Sequence, residues 1–229
     1  MTVYELTIES AEINLLVTEG LVDKGKKVLE DTIKKVKEFV RKLIELVKKV
    51  FNDKVKTIKD MASKIKKRVS QRITEPIMLA SVDKLNGLLH TSEYTLQAIE
   101  KSDFSSDDAV NMSLERVAEA LAALRGRFDK TKDNILVPTK GDSVRIALQY
   151  DKCADYCDKI GAIGTRLGKR TSDMLDELKS PGKEIYPNTL NLSSKISAAL
   201  SQISTIIKFA YDAMIHSIRK LNSMNHGEE

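Results

Sequence analysis

The chain has 229 residues, 31% of them charged and 5% aromatic, with no Trp and a formal net charge of +5. High charge with few aromatics excludes a sheet-dominated core, while 41% hydrophobic residues are too many for a disordered chain. No apolar run approaches the roughly 18 residues that span a bilayer, and the acidic first stretch lacks the basic start of a secretory signal.

A short lead at about 3–18 falls within a leader segment of residues 1–20. From Leu21 to Ile73 there are 18 Lys/Arg and 7 Asp/Glu, a net of +11, which leaves −6 for the remainder. Such polarity predicts a basic arm that meets an anionic surface: another protein, nucleic acid or the chain's own body. The periodicity predicts one long amphipathic helix over 21–73. Leu29, Ile33, Val36, Val40, Leu43, Val47 and Val50 alternate steps of four and three, a heptad seam. Phe51, Val55, Ile58, Ala62, Ile65 and Val69 repeat it in a shifted frame. Asn52-Asp53 sits at the join, either inside a continuous helix or at a turn. Phe39, Ile44 and Leu46 widen the first half's apolar face beyond a two-stranded coil, so that half wants more than one neighbour.

The basic side chains of this helix divide into two sets. Glu30–Lys34, Asp31–Lys35, Glu38–Lys42 and Glu45–Lys49 are i,i+4 pairs in the favourable acid-first order, a self-compensated, solvated face. Lys64, Lys66, Lys67, Arg68 and Arg72 have one acidic partner nearby, Asp60, and are the better candidates for contact with phosphate or an acidic protein. No aromatics are interleaved to stack on bases, which argues against sequence-specific reading of nucleic acid.

Prolines fall at 76, 138, 181 and 187, outside the periodic apolar segments. Because proline lacks a backbone donor and clashes with the preceding turn, they read as boundaries of further helices near 76–101, 106–134, 141–179 and 189–222. Ser105 and Ser106 before Asp107 and Asp108 form a hydroxyl cap followed by acids suited to the helix dipole. Asn188 or Thr189 serves the last helix in the same way, and 179–183 (Lys-Ser-Pro-Gly-Lys) is a loop by composition. No stretch carries the alternation and turn chemistry of strands. The expected architecture is therefore all-α: a bundle of about four helices over 76–222, joined to the basic heptad helix of 21–75, with a disordered tail at 223–229.

Chemistry-bearing motifs are scarce. Cys153 and Cys157, one turn apart, have no further Cys or nearby His to complete a zinc site and read as small buried residues of a helix interface in a reducing compartment. Gly161, Gly164 and Gly168, followed by Lys169 and Arg170, miss the spacing of a phosphate loop and follow no strand. They read as sites where another helix approaches closely. His90, His216 and His226 lack a partner motif for nucleophilic catalysis, and acid pairs such as Asp107-Asp108 look like helix-terminal charge. No catalytic residues, metal or cofactor are expected, and the chain reads as a non-enzyme.

The leader adds one resemblance. Leu6-Thr7-Ile8-Glu9 before Ser10, and Leu16-Val17-Thr18-Glu19 before Gly20, resemble sites cut by the prohead protease of large tailed bacteriophages, whose internal head and scaffold-core proteins are similar in being small, lysine-rich and helical. The resemblance implies processing after Glu9 and Glu19 and a structural protein of the host cytoplasm or virion, its basic helix facing DNA or an acidic scaffold. The sequence thus points to a cytoplasmic structural or assembly protein with a protein partner or self-association, and non-specific nucleic acid as a further partner. The alternatives are an amphipathic protein of the membrane surface and a regulator that occupies an acidic host protein.

Overall fold

The computed structural model describes residues 26–66, 72–177 and 188–224. It is mostly helical, with α1 Lys26–Lys66, α2 Val82–Glu100, α3 Asp107–Lys132, α4 Ser143–Glu177 and α5 Thr189–Met224, and two strands, β1 Arg72–Ala80 and β2 Leu136–Asp142. The leader, with Glu9 and Glu19, and the tail after Met224 lie outside the described residues.

α5 is the axis of the bundle and touches α1, α2, α3, α4 and β1. Leu192, Ile196, Leu200, Ile203, Ile207, Met214 and Ile218 are all buried, and so are Ser193, Ser197, Ser201 and Ser204. A helix surrounded on every side needs small residues wherever a neighbour's backbone comes close. Here those residues are serines, and the hydroxyls of Ser193, Ser197 and Ser204 bond back one turn, so these three bring no unmet polar group into the core. Ser193, Ser197 and Ser204 donate to the carbonyls of Thr189, Ser193 and Leu200 at 2.9, 2.9 and 3.0 Å.

α1 runs unbroken through Asn52-Asp53, where the Thr57 hydroxyl bonds the Asp53 carbonyl at 2.8 Å. Its 41 residues reach about 60 Å. Of the second predicted seam Val55, Ile58, Ala62 and Ile65 are buried, and in the first half Phe39 is fully buried; the side chains of the first predicted seam lie outside the described residues. This apolar stripe lies on α4 and α5. The pairing of Lys37 with Asp176 and of Lys59 with Asp155 fixes α1 antiparallel to α4.

α2 and α3 form an antiparallel hairpin. Ser81 and Ser106 cap their starts, accepting from the amides of Lys84 and Ala109 at 3.3 and 3.2 Å. The Ser106 cap is the one the sequence announces. α2 begins at Val82, not near residue 76, because the preceding residues are spent on a strand. Gly164 of α4 sits where the expected close approach occurs: a Cβ there would stand 3.7 Å from methyl groups of both Leu96 and Leu200. Cys153 and Cys157 are buried free thiols of the same helix.

The two strands correct the expectation that no stretch forms a strand, within a fold that remains mostly helical. β1 and β2 pair antiparallel, with Met78 opposite Pro138, Leu79 opposite Val137 and Ala80 opposite Leu136. Pro76 and Pro138 are therefore strand residues and not helix boundaries. A two-stranded ribbon has no interior strand, so a proline whose nitrogen points outward removes no ladder bond. Pro138 is placed that way. The Ala80 amide turns away from β2 to the Ser217 hydroxyl at 2.8 Å, which makes its pair with Leu136, and by alternation that of Met78 with Pro138, the non-hydrogen-bonded kind. Pro76 falls in the register shift between Ile73 and Ile77, a bulge. Opposite Ile73, Gly141 has φ +135°, a conformation that side-chain-bearing residues rarely adopt.

The ribbon crosses one end of the bundle. At its α2–α3 side the Ser81 amide bonds the Ile135 carbonyl at 2.8 Å, and at the other side β2 runs directly into α4, with the Asp142 carboxylate accepting from the Arg145 amide at 2.8 Å. Its outer β1 edge is anchored to the bundle: the Tyr150 hydroxyl donates to the Ala80 carbonyl at 2.7 Å and Lys220 Nζ to the Met78 carbonyl at 3.4 Å. Burial of Tyr150 pushes its phenol up to about 12, so it stays a donor. With one edge held by α4 and α5 and the other interrupted by Pro138, the ribbon is a poor template for further strands.

Candidate anion-binding surface

Three lysines of α1 are committed to the body. Lys37 pairs with Asp176 and Lys54 with Asp212, while Lys59 lies 2.6 Å from Asp155. The hydrogen bond to Asp155, reinforced by the charges of Asp155, Asp151 and Asp158, raises the Lys59 ammonium above its usual value. On the outer side, Lys42 meets Glu38 at 3.7 Å, as the i,i+4 pattern predicts, and Arg41 meets Glu45 at 4.0 Å. Five cations of the helix are therefore answered by carboxylates within the chain.

A second polar group lies between α2 and α4. The Tyr156 hydroxyl donates to Glu93 Oε2 at 2.6 Å and stands 3.0 Å from His90 Nδ1, and Lys159 lies 3.7 Å from the other Glu93 oxygen. Burial and the Glu93 carboxylate both raise the Tyr156 phenol, which keeps it protonated. Further along, Arg166 reaches Glu100 at 3.4 Å and Arg170 donates to the Glu100 carbonyl at 2.8 Å. The Lys159 side chain is 64% exposed, so water screens its charge. The row ties two parallel helices together along their surface. Cys153 continues it inward, 3.3 Å from Asn86 Oδ1; burial pushes its thiol up to about 11, which makes it a poor nucleophile. Among the described residues no group of three or more His, Cys, Asp or Glu side chains is arranged to hold a metal ion.

The ribbon end is a second basic region besides α1. The stretches 72–84, 125–145 and 216–224 meet there, and together they carry ten Lys/Arg against five Asp/Glu. Two of the five acids are used locally: Asp129 binds Lys132 at 3.2 Å, and Asp142 caps α4. Of the sequence-predicted anion-binding residues, Lys64 is exposed on the last turn of α1 and Arg72 is exposed at the start of β1, both at this end. The side chain of Lys66, and Lys67 and Arg68 entirely, lie outside the described residues. Sequence reasoning missed Lys84, Lys140, Arg145 and Lys220, which come from four other elements and gather only because the ribbon draws those elements together.

The outward face of the ribbon is apolar at its centre. Leu136, Pro138 and Lys140 alternate with the less exposed Val137, Thr139 and Gly141. Across from Pro138, Met78 is 41% exposed, and Leu136 is 38% exposed. Of the exposed large hydrophobic residues among those described, Met78 and Leu136 lie on the ribbon itself, Leu148 in the second turn of α4 and Met224 at the end of α5.

No family model, curated protein or solved structure matches this chain.

Proposed function

We propose that this protein is a non-enzymatic structural or assembly component that works through helix–helix contacts and a basic surface, the ribbon end serving as the contact with an anionic partner. The observation that carries this reading is the gathering of cations from several elements around the exposed ribbon at that end, while five cations of α1 are met by carboxylates of the chain itself. The leader's resemblance to processing sites of phage internal head and scaffold-core proteins fits the same reading, with an assembling virion as the setting.

Retention on immobilised dextran sulfate tests it. The double variant Arg72→Glu/Lys140→Glu is expected to weaken binding by about tenfold or more in moderate salt, since each phosphate-like contact contributes a steep salt-dependent share. Lys34→Glu/Lys35→Glu, at the far end of α1, is expected to change it by less than about threefold. Equal losses from the two variants would remove the ribbon end from the account. A wild-type chain that is strictly monomeric by light scattering and binds no polyanion would remove the assembly reading altogether.

A further inference from the structure

The anionic partner has a chemistry that the ribbon end itself specifies, and the inference rests on the proposed contact there. Three features bear on it. The outward face is apolar at its centre, with Met78 and Leu136 exposed between Pro76 and Pro138. Cations surround that centre from four directions: Arg72 at the start of β1, Lys140 further along the Leu136 face, Lys220 held on the Met78 carbonyl, and Lys84 held on the Asn134 carbonyl beside Leu136. Two acids belong to the ribbon. Glu75 projects from the bulge, and Asp142 is turned to the start of α4. The third feature is shape. The inner face, with Ile73 and Leu79, is buried against the helices, so the ribbon lies across the bundle end as a platform and does not project as an arm.

Each candidate partner meets these features differently. Duplex nucleic acid would satisfy the cations, but its apolar surface lies stacked inside grooves, and a platform as wide as a helical bundle does not enter a minor groove about 6 Å across. No exposed Phe or Tyr is present among the described residues at this end to stack on unpaired bases, and the single exposed imidazole of His216 is not a stacking platform for successive bases. A second copy of this chain would oppose cations to cations. A bilayer surface presents a broad plane with phosphates outermost and acyl chains directly beneath, the order in which the platform presents cations around an apolar centre. No helix among the described residues is long and apolar enough to cross a membrane, so contact of this kind stays at the interface.

We infer that the ribbon end is a docking face for an anionic lipid surface, with Arg72, Lys84, Lys140 and Lys220 on headgroup phosphates and Met78 and Leu136 in the boundary between headgroup and acyl chain.

Co-sedimentation of the full chain with vesicles of phosphatidylcholine containing about 30% phosphatidylserine tests this, with pure phosphatidylcholine vesicles, duplex DNA and dextran sulfate as parallel probes. Binding to the anionic vesicles is expected to exceed binding to neutral ones by at least about tenfold. Met78→Ser/Leu136→Ser replaces two side chains at the surface, 41% and 38% exposed. It is expected to cut vesicle binding by about tenfold while leaving retention on dextran sulfate unchanged and the chain folded at the temperature of the assay, as circular dichroism checks. Vesicle binding that is indifferent to the serine pair would overturn the apolar contact. Binding to DNA and dextran sulfate with none to vesicles would overturn the lipid inference and leave the anionic-contact reading intact. Failure with every anion would overturn both.

Discussion

Ile58→Asp is expected to unfold the protein or bring it close to unfolding. Ile58 is fully buried on the α1 face that lies against α4 and α5. An aspartate there either stays charged without a partner or takes up a proton to become neutral, and both outcomes add a desolvation cost to the lost packing. The combined loss exceeds about 4 kcal/mol, against a total stability of about 5–15 kcal/mol for a domain. Ile58→Ala, which only opens a cavity, is expected to cost about 2–5 kcal/mol. Lys56→Gln, two residues away on the exposed side, should stay within about 0.5 kcal/mol. Urea titration followed by circular dichroism checks all three. A rod that merely projected from the body would give three indistinguishable curves.

Ser197→Leu probes the other requirement of the bundle, the narrowness of α5. Ser197 is buried and its hydroxyl is bonded to the Ser193 carbonyl of its own helix, so the hydroxyl contributes nothing to a neighbour that a methyl group would not. Ser197→Ala is accordingly expected to hold or raise stability by up to about 0.5 kcal/mol, since alanine has the better helix propensity. Ser197→Leu adds two heavy atoms and a branch to a packed core and is expected to cost about 1–3 kcal/mol through displaced neighbours. If alanine proved as harmful as leucine, the serine would be needed for its hydroxyl, and the packing explanation of α5 would fail.

The helices are legible in the sequence because their signals are local. The Ser106 cap, the shifted seam Val55–Ile58–Ala62–Ile65 and the break before Thr189 each lie within a few residues of the feature they specify. The strands are illegible for the opposite reason. Ile77-Met78-Leu79-Ala80 is a short apolar run that helix and strand accept alike, and Pro76 ahead of it imitates the first turn of a helix. Only pairing with Leu136–Asp142, more than fifty residues away, and the anchors from Tyr150, Ser217 and Lys220 make it a strand. Tertiary contacts decide such a segment.

The charge pattern was half legible. A basic first third and an acidic remainder are plain in the composition, and the chain's own body was among the anionic surfaces it could meet. What composition does not carry is which lysine meets which acid. Lys37 and Asp176 are 139 positions apart and Lys54 and Asp212 are 158 apart, and the antiparallel fit of α1 to α4 brings the first pair together. The candidate site shows the same division. Lys64 and Arg72 stood out as a local cluster, whereas Lys84, Lys140 and Lys220 become neighbours of one apolar face only through the ribbon's register.

Backbone amide exchange along α1, measured against α5 in the same sample, addresses most directly whether the basic helix is a working member of the bundle. If it is, the inward amides of residues 54–65 exchange only through openings that cost nearly as much as global unfolding, in step with those of α5. Exchange of α1 at the rate of an isolated helix, while α5 remains protected, would mean that the helix is detached and its lysines are free, contradicting the assignment of the available positive charge to the ribbon end.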